Sequence, residues 1–193
     1  MKTVKKETQI EFEIKKSKFI GYIKPILTKA EAEEFIQMIK KKHSDARHNC
    51  SAYKVFENGQ EYYKVDDDGE PSGTAGKPMG EILNILEVDN VVVVATRYFG
   101  GIKLGAGGLI RNYAKTAKLA VEEAEIIELV PKKDVVLEFS YDKSVQVDNL
   151  LGDQGDFIKE YGERILYRGR VSEEILEKLK DIRGIIVIEN NTK

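Results

Sequence analysis

Apolar and polar positions alternate from Thr8 to Ile14, which places Ile10, Phe12 and Ile14 on one face of a strand. Lys18 to Ile26 predicts a second strand. Thr28-Lys29-Ala30-Glu31 fits a capping box, and Phe35, Ile36, Met38 and Ile39 give the following helix, to about Lys42, its apolar stripe. Asn49 to Phe56 and Gln60 to Val65 read as a hairpin turned at Glu57-Asn58-Gly59, since both central residues tolerate positive φ. Asp66 to Gly76 is a loop. Pro78 suits the first turn of a helix whose apolar side is Ile82, Leu83, Ile85 and Leu86. Four valines open the stretch Val91 to Tyr98, and a β-branched run without alternation predicts a strand buried on both faces. A Gly-rich loop and a helix from about Gly108 to Ala124 follow.

Pro131-Lys132-Lys133 is the candidate linker between a domain of residues 1–130 and one of residues 131–193. Beyond it, Asp134 to Tyr141 predicts a strand and Ser144 to Leu151 a helix. Phe157 to Tyr161 and Arg164 to Val171 predict paired strands. Ser172 N-caps a helix ended by Gly184, and Ile185 to Glu189 is the last strand. That order, βαββαβ, is the ferredoxin-like split unit. About sixty residues make a small core, so this domain is expected to dock on the first or on a protein partner.

The chain has 193 residues, 41% hydrophobic and 33% charged, which is globular composition. Thirty-one Lys+Arg against 33 Asp+Glu leave a formal charge of -2, which argues against a nucleic-acid binder driven by bulk charge but leaves room for a local basic patch. Cys50 is the single cysteine, so no intramolecular disulfide or Cys-based zinc cluster can form, and two histidines leave little for a His-rich site. No metal and no cofactor is expected. No apolar run approaches the roughly 20 residues that span a bilayer, and Met1 to Lys18 has no signal-peptide core. A reduced, cytoplasmic protein away from membranes is the expectation.

The charge is unevenly placed. Residues 61–89 hold eight acids and two bases, whereas residues 91–120 hold five bases and no acid. Nine of the sixteen glycines lie between Gly69 and Gly108. The loop after Tyr98 has five glycines in nine residues (Gly100, Gly101, Gly105, Gly107, Gly108) before a helix. Such a loop can turn backbone N–H groups into one concavity, and the helix N-terminus adds partial positive charge. With Arg97, Lys103 and Arg111 around it, this is a candidate anion site for phosphate, free or in a nucleic-acid backbone. The alternative is that the glycines allow tight packing and the bases are solvated. No Gly-Lys-Ser/Thr closes a Walker loop, and no acid stands where a dinucleotide fold needs one.

Asp66, Asp67, Asp68 and Glu70 offer oxygen ligands, but not at the spacing of a calcium loop, and an exposed acidic turn is the simpler reading. Ser72, Thr74 and the glycines around them supply further N–H donors before a helix and could complete a cleft shared with the Gly-rich loop. Arg47-His48-Asn49-Cys50 invites a thiol–imidazole pair. On a strand, however, positions 48 and 50 stand about 7 Å apart, too far for direct activation, so a buried structural cysteine is expected. Tyr53, Tyr62, Tyr63, Tyr98 and Phe99 are either stacking platforms or core.

Three runs carry a resemblance: Arg47 to Cys50; Asp68-Gly69-Glu70-Pro71-Ser72-Gly73-Thr74-Ala75-Gly76; and Arg97-Tyr98-Phe99-Gly100-Gly101-Ile102-Lys103-Leu104-Gly105-Ala106-Gly107-Gly108-Leu109. They resemble the IMPACT family in its bacterial YigZ/YvyE branch. The sequence departs at Asn112, where that family usually has Ala before the tyrosine. The resemblance covers the first domain to about Ala124, and the two-domain layout extends it. It implies an α+β chain whose first domain, of left-handed βαβ type, is like the second domain of the fifth small-subunit ribosomal protein. That fold also occurs in elongation factor G domain IV and in galactokinase–homoserine kinase-type enzymes. The second domain would be similar to elongation factor G domain V. Eukaryotic members restrain a translation-initiation kinase using an additional N-terminal domain. This sequence opens on its first strand, so that role is not carried over. For bacterial members the resemblance implies a link to translation or the ribosome with no assigned catalysis.

RNA or the ribosome is thus the expected partner, contacted through Arg97, Gly100, Gly101, Lys103, Gly105, Gly107, Gly108 and Arg111. Arg47, His48, Asp68, Glu70, Ser72 and Thr74 are further cleft candidates. An enzyme or binder acting on a small phosphorylated metabolite is the alternative, and a protein-interaction module using the second domain is a third reading.

Overall fold

Alternation in the first 98 residues resolves into a five-stranded antiparallel sheet. A computed structural model describes residues 1–130, 132–152 and 157–189. The chain divides into two units, Met1–Leu129 and Val130–Lys193. The first contains β1 (Lys2–Val4), β2 (Thr8–Ile14), β3 (Ser17–Pro25), α1 (Lys29–Lys42), β4 (His48–Glu57), β5 (Gln60–Asp66), α2 (Gly76–Ile85), β6 (Val91–Tyr98), α3 (Ala106–Ala124) and β7 (Ile126–Glu128). The sheet order is β2-β3-β6-β4-β5. Strands β3 and β4 each pair antiparallel with β6, so they run parallel to one another on either side of it, joined through α1.

Strand β6 explains its own composition. Val91, Val93 and Ala95 enter the core beneath α2 and α3, while Val92 and Val94 enter a second core beneath α1. Strand β4 divides likewise, with Cys50 and Ala52 on the first side and Tyr53 and Val55 on the second. His48 and Arg97, directly paired across β4 and β6, therefore share the α2/α3 side with Cys50 and Ala95.

Local signals account for most element ends. The Thr28 hydroxyl accepts from Glu31 N at 3.2 Å, and the Glu31 carboxylate accepts from Leu27 N at 2.8 Å, which closes the box one residue further back than the usual pattern. The β4–β5 turn has positive φ at Asn58 (51°) and Gly59 (78°). The β2–β3 turn does the same with lysines, Lys15 (46°) and Lys16 (62°). Ile10 and Phe12 pack on the core as expected, but Ile14 is exposed. Helix α3 starts at Ala106, two residues before the expected Gly108. The short β1–β7 ladder carries too few residues for a periodic signal.

The second unit contains β8 (Lys132–Phe139), α4 (Ser144–Leu151), β9 (Ile158–Tyr161), β10 (Ile165–Ser172), α5 (Glu173–Lys180) and β11 (Ile186–Glu189). The element order is βαββαβ, with sheet order β11-β8-β10-β9. Leu137, Phe139, Val147, Ile165, Tyr167 and Leu176 lead its core. Lys132 and Lys133, assigned from sequence to the linker, are in β8, opposite Ser172 and Val171; Pro131 lies outside the described residues. Both units together make a two-domain α+β chain. No helix among the described residues is long and apolar enough to cross a membrane.

Candidate anion-binding site

The acidic stretch folds inward. The Asp67 carboxylate accepts from Gly73 N (2.7 Å), Ala75 N (3.0 Å) and Gly76 N (2.8 Å), filling the N-terminus of α2. The N–H donors of this loop are thus occupied by a carboxylate of the chain itself. Asp68 accepts from Asn49 N at 2.6 Å and pairs with Lys40 at 2.7 Å. Burial alone would raise the Asp66 carboxyl, but the N–H of Asp68 and the ammonium of Lys40 outweigh it and hold it below the usual range. In place of a solvated acidic turn there is a paired, partly buried scaffold. Among the described residues no group of His, Cys, Asp and Glu is arranged to hold a metal ion.

That scaffold carries Glu70 into the protein. The turn at Asp68 and Gly69 has positive φ (44° and 82°), and Glu70 N donates to Asp67 O at 2.9 Å. The Glu70 carboxylate meets Arg97 Nη1 at 2.6 Å and accepts from the Tyr113 hydroxyl at 2.8 Å. Arg97 Nη2 lies 3.5 Å from Ser17 Oγ, and its Nε is buried with no partner among the described residues. His48 Nδ1 donates to the carbonyl of Asp68 at 2.8 Å, which fixes the tautomer of the neutral ring and leaves Nε2 as its free nitrogen, 3.8 Å from Glu70 Oε2.

Cys50 is buried, and its thiol donates to Asp67 O at 3.0 Å. Burial pushes that thiol up, with the nearby Glu70, Asp68 and Asp67 adding to it, so no reactive thiolate forms at neutral pH. Tyr113 is raised by burial, then by Cys50 and Glu70, and stays a hydroxyl donor.

The acidic and basic stretches meet in one cavity of about 510 Å³. Of the residues singled out in the sequence, Arg47, His48, Glu70, Arg97, Lys103 and Gly105 line it. Phe99, one of the aromatics read from sequence as stacking platform or core, lines it too, and Pro71, Leu104, Ala106 and Leu109 supply an apolar lining that sequence reading did not assign to a site. The other candidates are placed elsewhere. Ser72 is exposed; Thr74 is buried, its hydroxyl donating to Pro71 O at 2.6 Å. Asp68 is spent on Lys40 and Asn49. Gly100 packs against the β2–β3 turn, where a Cβ would stand 1.8 Å from Lys16 O. Gly101 is exposed, Gly107 and Gly108 lie in the first turn of α3, and Arg111 reaches back over Gly107, its Nη1 3.6 Å from where a Cβ there would stand.

The two helix N-termini differ. Helix α2 is filled by Asp67. Helix α3 begins after Gly105 (φ 73°) with no side-chain cap and no acid in its first turn, and Gly105 and Ala106 face the cavity lined by Lys103 and Arg47.

The Impact N-terminal domain profile matches residues 15–121. The chain belongs to the IMPACT family. The family member YvyE of Bacillus subtilis is 42% identical over 174 residues, covering 89% of this chain and 80% of that protein. The family member YigZ of Escherichia coli is 35% identical over 141 residues, covering 72% and 69%. These relatives place the chain in the bacterial YigZ/YvyE branch. A crystal structure titled as that of a hypothetical protein superposes with a TM-score of 0.65 at 29% identity, covering 100% of this chain and 98% of that one. Ser17, Glu70, Arg97, Tyr113 and every cavity residue fall within the matched IMPACT domain.

Proposed function

We propose that this IMPACT-family chain is a translation-associated regulatory protein that binds RNA, alone or within the ribosome, through the cationic Gly-rich end of its first unit, without catalysis. The observation that carries this reading is the uncapped N-terminus of α3 beside exposed Lys103, Arg111 and Arg47. Backbone N–H groups, the helix dipole and flexible cations together form a phosphate-binding surface. Family membership supports translation as the setting. The order of the two units, comparable to elongation factor G domains IV and V, belongs to the same proposal. Arg97 serves it from within, as the counter-charge of Glu70 that holds the loop.

Co-sedimentation with ribosomes and with structured RNA, at low and near-physiological salt, tests the proposal. The comparison is wild type against the Arg47/Lys103/Arg111 triple alanine. Removing one phosphate-bound cation should lower the salt slope by about one. Binding that is salt-sensitive and abolished in the triple variant supports the surface, and unchanged binding removes it.

The cavity of about 510 Å³ favours a second reading, a binder or enzyme for a small phosphorylated metabolite. Calorimetry against a panel of phosphorylated metabolites with Mg2+ decides between the two readings.

A further inference from the structure

We infer that the cavity between the 67–75 and 99–105 loops accepts one nucleotide bearing a phosphate monoester, supplied either as a free mononucleotide or as the phosphorylated end of an RNA. For the RNA source, this deepens the reading above and rests on it.

Charge decides between a monoester and an internal phosphodiester. Three cations line the cavity, Arg47, Arg97 and Lys103, against one carboxylate, Glu70, which leaves two positive charges over. An internal phosphodiester brings one negative charge, whereas a phosphate monoester carries roughly 1.5–2 at neutral pH. The nearby carboxylates of Asp66 and Asp68 share the ammonium of Lys40, and neither aspartate lines the cavity. Polar groups of the lining add to the charge. The Nε–H of Arg97, in a lining residue only 6% exposed, has no partner among the described residues. The first turn of α3 is uncapped, and His48 Nε2, the lone-pair nitrogen of the anchored neutral ring, can accept from the O–H of a singly protonated monoester.

The remaining lining suits a flat ring. Phe99 is 41% exposed, stands 5.6 Å from the Arg97 guanidinium carbon, and continues into Leu104 and Leu109. Aromatic stacking accepts any base. The volume, about 510 Å³, is within the roughly 300–1,000 Å³ of small-molecule sites. It holds one nucleotide, not the run of about four or more that an open single-strand groove tracks.

Titrations of the full chain test this with five probes: AMP, inorganic phosphate, and one short RNA phosphorylated at its 5′ end, at its 3′ end, or at neither. A phosphorylated end is expected to tighten RNA binding about tenfold, the worth of one charge-assisted phosphate contact. Phe99→Leu should weaken AMP and the phosphorylated RNA about tenfold while leaving inorganic phosphate unchanged. Lys103→Ala, at an exposed position, should weaken all of them. AMP binding as tightly as the phosphorylated RNA identifies a free mononucleotide as the occupant; a preference for the RNA identifies the chain end. Equal binding of the three RNAs with no binding of AMP overturns this inference and leaves the RNA reading standing. Binding of AMP with no binding of any RNA supports the cavity and removes the RNA reading. No binding by any probe removes both.

Discussion

Glu70 and Arg97 form an ion pair at 2.6 Å with side chains only 4% and 7% exposed, which joins the acidic loop to the end of the central strand β6. A buried pair of this kind owes its strength to being complete, because each charge is costly once its partner is gone. Arg97→Ala should therefore destabilise the first unit by about 3–5 kcal/mol. Glu70→Ala should do likewise, and the double variant should cost less than the sum of the two. Urea unfolding followed by circular dichroism measures all three. Additive losses would mean that the pair is not coupled.

Asp67 should be the most sensitive of the three consecutive aspartates. Its carboxylate takes three backbone N–H groups, whereas Asp66 takes one and Asp68 one. Asp67→Ala should cost more than the roughly 1 kcal/mol of an ordinary helix cap, because three donors lose a charged acceptor at once. It should also widen the loop that presents Glu70. Hydrogen exchange at Gly73, Ala75 and Gly76 reports the change directly, and unchanged protection there would contradict it.

Sequence alone makes β6 legible, because four consecutive valines have no polar face to expose, and it makes the Asn58-Gly59 turn legible through φ preference. It also shows that opposite charges concentrate in residues 61–89 and 91–120. It does not show that they meet. That meeting depends on His48 lying opposite Arg97 in the β4–β6 ladder and on the turn at Asp68 and Gly69. Nor does composition tell Asp67 from its neighbours, since only the fold decides which carboxylate faces the N-terminus of α2. The apolar residues of the cavity escape notice for a similar reason. Leu104 and Leu109 read as loop or helix core, and Phe99 is not told apart from four other candidate stacking aromatics, until the Gly-rich loop is folded against β6.

The Asp66–Asp68–Lys40 cluster makes a pH-dependent contribution of definite sign. The Asp66 carboxyl is held below its usual 3.8 in the folded chain. A group lowered by folding contributes stability that is present above 3.8 and is lost as pH falls through the folded value. The Asp66 side chain is 43% exposed, so solvent screening keeps the contribution small. Lys40→Met should therefore reduce stability at pH 7 and lose its effect at the acid end, below pH 3.8. Urea midpoints of both proteins across that range test it. A difference that stays constant down to the most acid pH would show that Lys40 acts by packing alone.

The Lys15-Lys16 turn holds two lysines at positive φ, against their steric preference, because the β2–β3 ladder closes from Ile14 to Ser17 with only two residues between. The Lys16 carbonyl then becomes the surface on which Gly100 rests, so close that a Cβ on residue 100 would overlap it. The turn and the Gly-rich loop consequently constrain one another, and two substitutions should act in opposite directions. Replacing Lys15-Lys16 with Asn-Gly relieves the left-handed strain and should stabilise the first unit by about 1 kcal/mol. Gly100→Ala forces the loop off the turn, and the displacement passes directly to Phe99 and through the loop to Lys103. It should lower stability and weaken ligand binding together. The decisive measurement is the thermal midpoint of each variant beside its affinity for a phosphorylated RNA. Should Gly100→Ala bind normally at full stability, the loop would not be positioned by that contact, and Lys103 would owe its place to α3 alone.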